Sequence, residues 1–143
     1  MARLRLILAF IAVLTAAAAA SLGLGLGVSW LIGRMHCEGE QLSCNIDDAI
    51  GAYGTLIWAG AGVIVFGISM LFRNKRIALI VVALALMAPL VVFVFGDLVQ
   101  GWRYVGTYPY ADFRSFISKF AGPATTVLVQ YLILRIALTR LMG

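Results

Sequence analysis

Few residues of this chain could do chemistry. It holds two cysteines, Cys37 and Cys44, and one histidine, His36. Its carboxylates are Glu38, Glu40, Asp47, Asp48, Asp97 and Asp112. A metal set from His36, Cys37, Cys44 and Glu38 or Glu40 can be drawn, but six residues separate the cysteines, not the short C-x-x-C spacing of zinc-type sites. A single histidine gives no second imidazole for a haem held between helices. There is no G-x-S-x-G, no glycine-rich phosphate loop and no H-E-x-x-H. The remaining chemistry of the cysteines is with each other. Cys37 and Cys44 enclose a short segment containing Gly39, which lets the chain fold back, so a structural disulfide is expected. Neither a cofactor nor a metal is expected, and the chain does not read as an enzyme.

The elements that carry these residues are apolar to an unusual degree. Of 143 residues, 63% are hydrophobic and 12% charged, with mean hydropathy +1.03. Soluble domains carry about twice that charge fraction, roughly 25%. A bilayer core of about 30 Å needs about 20 helical residues. Uncharged or nearly uncharged runs of that size cover residues 6–32, 49–72, 77–95 and 122–141. They are continuous, without the alternation of barrel strands. The expected fold is an all-α, four-transmembrane-helix bundle, a single domain over 1–143 with outer loops 33–48 and 96–121. The basic start and the small residues Ala16–Ala20 resemble a secretory signal, but the apolar run continues to Ile32. It is read as an uncleaved first span.

Orientation follows from lysine and arginine. With the N-terminus inside, Arg3, Arg5, Arg73, Lys75, Arg76, Arg135 and Arg140 face the cytoplasm, and all six carboxylates fall outside. The short Arg73–Arg76 turn decides the matter, because short loops obey the positive-inside rule most strictly. Both termini are therefore expected in the cytoplasm, and a bacterial inner membrane is the expected location. Arg73, Lys75, Arg76 and Arg135 are the expected contacts for anionic lipid or for an acidic partner. The net charge of +5 is a membrane-surface pattern; no basic patch interleaved with aromatics marks a nucleic-acid partner.

The 96–121 segment is rich in aromatics. Phe113, Phe116, Ile117 and Phe120 recur at i, i+3, i+4 and i+7, opposite Asp112, Ser115, Ser118 and Lys119. That is the pattern of a short amphipathic helix lying in the interface before the last span. Trp102, Phe113, Phe116, Ile117 and Phe120 are its expected anchors. The competing arrangement is one long helix kinked at Pro123. Thr107-Tyr108-Pro109-Tyr110 is expected to be a turn or extended.

Within the spans, small residues recur. Gly23 and Gly27 form a G-x-x-x-G pair, and Gly60 and Gly62 lie in the second span. Small residues let helix backbones approach closely in lipid, so these four glycines are expected to pack the first two spans together, or to receive another subunit. Thr125, Thr126, Gln130 and Tyr131 are expected to bond across helices. Pro89 should kink the third span.

Two cysteines in an outer loop of a four-helix membrane protein resemble, in topology, the quinone-linked thiol oxidases of bacterial inner membranes. Those proteins carry a C-x-x-C pair and a second pair in the other outer loop; here 96–121 has no cysteine. Small drug antiporters would need a carboxylate in the first span, and it has none. The leading expectation is a non-enzymatic membrane subunit that packs against a larger complex or its own copies. A channel or carrier for an uncharged or lipid-like solute is the alternative, and a periplasmic-facing thiol oxidoreductase the third.

Overall fold

The structure is a computed structural model that describes residues 1–37, 41–69, 71–103 and 113–141. It is all-helical among those residues: α1 Ala2–Gly33, α2 Gln41–Ser69, α3 Lys75–Arg103 and α4 Phe113–Leu141. Each helix is long and apolar enough to cross a membrane. A helix satisfies its own backbone donors and acceptors, which is why such sequences adopt it where water is absent. At 1.5 Å per residue, 29 residues reach about 43 Å, beyond the apolar core. The helices accordingly run past the apolar stretches into the charged flanks. Much of the expected outer loops is therefore helix, from Gln41 in the first and up to Arg103 and from Phe113 in the second.

One expectation changes form. The amphipathic segment before the last span is helical, but it continues through Pro123 into α4 without a break. The reason lies in its polar side. Ser118 is fully buried and Lys119 half-buried against carboxylates of α2 and α3, so the segment is held upright as part of the bundle. Phe116, Ile117 and Phe120 are half-buried on the other side, with Phe116 and Phe120 rings 5.2 Å apart. The side chains of Trp102 and Phe113 lie outside the described positions, as do Glu38, Glu40 and the 104–112 segment.

Two ends can be told apart. At one, the N-terminus, the α2–α3 turn and the end of α4 meet; at the other, α1 passes to α2 beside the disulfide. The apolar core, Phe66, Ala78, Val82, Leu86, Val127, Leu134, Ala137 and Leu138, sits toward the terminal end. Phe10 of α1 lies against it, its ring 5.7 Å from that of Phe66. Asn74 starts α3 by accepting the Arg76 backbone N–H at 3.0 Å, as asparagine does at helix N-caps. Toward the disulfide end the packing changes character: α1, α2 and α4 meet through small and polar side chains instead of large apolar ones.

Candidate functional site

Every fourth residue of α4 points inward. Arg114, Ser118, Gly122, Thr126 and Gln130 are all buried, and Leu134 and Leu138 continue the stripe into the apolar core. A spacing of four keeps residues on one helix face. The matching stripe of α1 is Ala17, Ser21, Gly25 and Ser29; that of α2 is Gly51, Thr55, Ala59 and Gly62. Together they form a polar seam running from the disulfide end toward the middle of the bundle.

The close approach is made at four glycines. A Cβ on Gly25 would strike the Thr126 hydroxyl and the Thr55 methyl, and would lie 3.1 Å from the Gly122 carbonyl oxygen. A Cβ on Gly122 would in turn lie 3.1 Å from the Gly25 carbonyl oxygen, and would strike the Ser29 and Thr55 hydroxyls. A Cβ on Gly51 would strike the Ser118 carbonyl oxygen, and one on Gly62 the Gln130 amide. Of the four glycines expected to pack the first two spans, only Gly62 is at a close contact, and its neighbour is on α4. Gly23, Gly27 and Gly60 do not pack the first two spans together: all three are exposed, with nothing within 4 Å of an added Cβ. On α1 the buried stripe lies roughly opposite them, since two residues turn a helix by about 200°.

Hydrogen bonds stitch the seam. Thr126 Oγ1 donates to the Ser21 carbonyl at 3.2 Å, and Gln130 Nε2 to the Ala59 carbonyl at 3.0 Å. Gln130 thus bonds across helices as expected, Thr126 shares its one proton between Ser21 and the Gly122 carbonyl of its own helix at 3.0 Å, and Thr125 bonds back to Ala121 at 2.7 Å. Such bonds contribute about 0.6 kcal/mol each on average. Three buried atoms of the seam, Ser29 Oγ, Arg114 Nη1 and Gln130 Oε1, find no partner among the described residues.

The charged part of the seam is at the disulfide end. Arg114 is only 7% exposed. Its Nη2 lies 3.3 Å from Asp48 Oδ2, and Ser118 Oγ donates to Asp48 Oδ1 at 2.5 Å. Arg114 also donates to the Met35 carbonyl at 3.3 Å and the Gly33 carbonyl at 3.4 Å. It thereby covers carbonyls at the α1 C-terminus that no further helical turn can satisfy, where a cation is also favoured by the helix dipole. Lys119 reaches Asp97 of α3 at 3.2 Å and Asp47 of α2 at 3.6 Å. From sequence, both Arg114 and Lys119 fall in the 96–121 outer loop, Lys119 on the polar side of the amphipathic segment, with no partner evident for either. The signal available was the Ser118, Gly122, Thr126, Gln130 repeat, which extends back to Arg114.

Cys37 and Cys44 are joined as a disulfide, with Cα atoms 6.3 Å apart. It ties the chain after α1 to the first turn of α2. Both sulfurs are thereby taken from the paper metal set, and the chain has no other cysteine to receive electrons. No group of three or more His, Cys, Asp or Glu gathers among the described residues.

The terminal end carries the basic groups. Arg73, Arg76 and Arg135 are exposed and Lys75 is half-buried. Among the described residues, the three ion pairs all lie at the other end. The chain matches no protein-family model, no curated protein and no solved structure.

Proposed function

We propose that this chain is a small, non-enzymatic membrane protein that packs against the helices of a larger membrane complex, or against copies of itself. One observation carries the reading. Gly23, Gly27 and Gly60 are turned outward with open space before them, while the bundle's own close contacts are made at other residues. In lipid, apolar side chains give helices little reason to associate; close backbone approach at small residues does. An outward glycine is a notch that a neighbouring helix can fill.

The charge pattern supports placement in a bacterial inner membrane with both termini cytoplasmic. Arg73, Lys75, Arg76 and Arg135 would then meet anionic headgroups or an acidic partner, since each basic group near an anionic leaflet contributes about 1 kcal/mol. Leucine at Gly23, Gly27 and Gly60 together tests the packing. All three positions are exposed and an added Cβ there meets nothing within 4 Å, so insertion and melting should be unchanged. Co-extraction of the partner, or the population of the homo-oligomer, should fall. Full assembly of the triple variant would remove the reading.

A second reading, passage of an uncharged or lipid-like solute, draws on the outer half of α3, where Val91, Val92, Phe93 and Phe95 are exposed. The junction of the four helices leaves only a partly open void of about 10 Å³, beside Gln130, Gly62 and Leu86. That is room for one water at most, so a solute would move along α3. Flux into liposomes from a monomer or symmetric oligomer would favour this reading over the first.

A further inference from the structure

The third helix is held unevenly. Its inward stripe of Ala78, Val82 and Leu86 is fully buried in the apolar core. The same stripe then reaches Leu90, half-buried, and Phe93, 65% exposed. Among the described residues no Cα of α1 lies within 8 Å of one of α3, so the α3 backbone runs close to α2 and α4 only, while Phe10, Val13 and Leu14 of α1 reach the shared apolar core with their side chains.

Along the inward stripe burial falls from full before Pro89 to partial after it, at Leu90, Val94 and Asp97. Proline has no N–H to give the Ala85 carbonyl, and its ring crowds the preceding turn. Sharp bends in helices concentrate at such points. Trp58 of α2 straddles Pro89. Its indole N–H donates to the Leu86 carbonyl at 3.3 Å, before the proline, and its ring meets Phe93 edge-on at 6.3 Å, beyond it. Further out, Asp97 ties α3 to Lys119 of α4. Asp47 of α2 stands beside the same ammonium. Breaking the Asp97 contact therefore leaves Lys119 with a carboxylate already in place. Asp97, 30% exposed, is free to move into water or headgroups. Opening strands no buried charge, which would otherwise oppose it strongly.

The geometry points to a hinged flap: the half of α3 beyond Pro89 swings away from α2 and α4, latched by Lys119 and Asp97, while the half before Pro89 stays in place. Hinges of this kind concentrate the backbone change at a few residues. The groove uncovered has Trp58 and Gly54 on one face of α2, with Gly54 against the Pro123 ring. It opens sideways toward lipid and leaves the seam of α1, α2 and α4 closed.

Spin-label distances in liposomes test this on the full chain. One nitroxide pair on Leu98 and Ala124 reports the outer half, and another on Ile80 and Ile136 reports the held half; all four positions are exposed. Cys37 and Cys44 are bonded and take no label. Asp97→Asn should broaden and lengthen the outer distribution and leave the inner one unchanged. Asp97→Glu should restore the native outer distribution, and Pro89→Ala should narrow it. An outer distribution that Asp97→Asn does not move would overturn the hinge. Equal broadening of both pairs would overturn it too, because the motion would not stop at Pro89.

Discussion

Arg114 of α4 and Asp48 of α2 face each other across 3.3 Å at the disulfide end of the bundle. The same guanidinium also holds the Gly33 and Met35 carbonyls that follow α1. One side chain therefore fastens three helices. Arg114 is buried while Asp48 is 26% exposed, so breaking the pair should cost less than a fully buried one, about 3–5 kcal/mol, with the loss of both carbonyl bonds added when Arg114 itself is removed. Arg114→Ala should be strongly destabilising in detergent melts. Asp48→Asn should cost less, since Arg114 keeps its two carbonyls. A double-mutant cycle should show clear coupling; additive losses would mean that the two charges act independently.

Gly25 and Gly23 make a sharp contrast. Alanine at Gly25 puts a methyl onto Thr126 and Thr55, with the Gly122 backbone close behind. Overpacking of this kind costs about 1–3 kcal/mol, so Gly25→Ala should lower the melting temperature. Gly23→Ala and Gly27→Ala should not. Equal effects at Gly23 and Gly25 would contradict the seam.

Much of this was legible in the sequence, for identifiable reasons. Run length alone marks four helices, because the bilayer sets the length of a span. The lone cysteine pair marks the disulfide. Which face of α1 turns inward was not legible. Gly23 and Gly27 have the small-residue spacing, but so do Ser21, Gly25 and Ser29 on the other side. Only the partner stripe of α4, with Gly122 opposite Gly25, selects between them. The start of α4 misled for a related reason. A polar stripe on a membrane-border helix reads as facing water, and here it faces Asp48, Asp47 and Asp97. Those carboxylates are far away in sequence, so no local pattern reveals them.

The disulfide makes a stability prediction. A bond closing so short a loop contributes roughly 2–3 kcal/mol in the chain-entropy account. Replacing Cys37 and Cys44 with serine should lower thermal stability and leave insertion and assembly intact. Thiol labelling of the denatured, unreduced protein should find neither cysteine free. Loss of assembly without loss of stability would point to redox work instead.

The basic end should select lipid. Neutralising Arg73, Lys75 and Arg76 together should weaken retention of anionic lipid by up to about 3 kcal/mol at low salt, at about 1 kcal/mol each, and by less at high salt, where exposed charges are screened. Retention unchanged at both salt levels would rule out this role. Reporter fusions after Arg76 and at Gly143 should both read cytoplasmic.

Native mass spectrometry of the tagged protein, taken from its own membrane in mild detergent, measures assembly directly. The expected result is a defined complex, either with another membrane protein or as a symmetric oligomer, that loses mass when Gly23, Gly27 and Gly60 are replaced by leucine. A monomer carrying only lipid, unchanged by those replacements, would contradict the subunit reading.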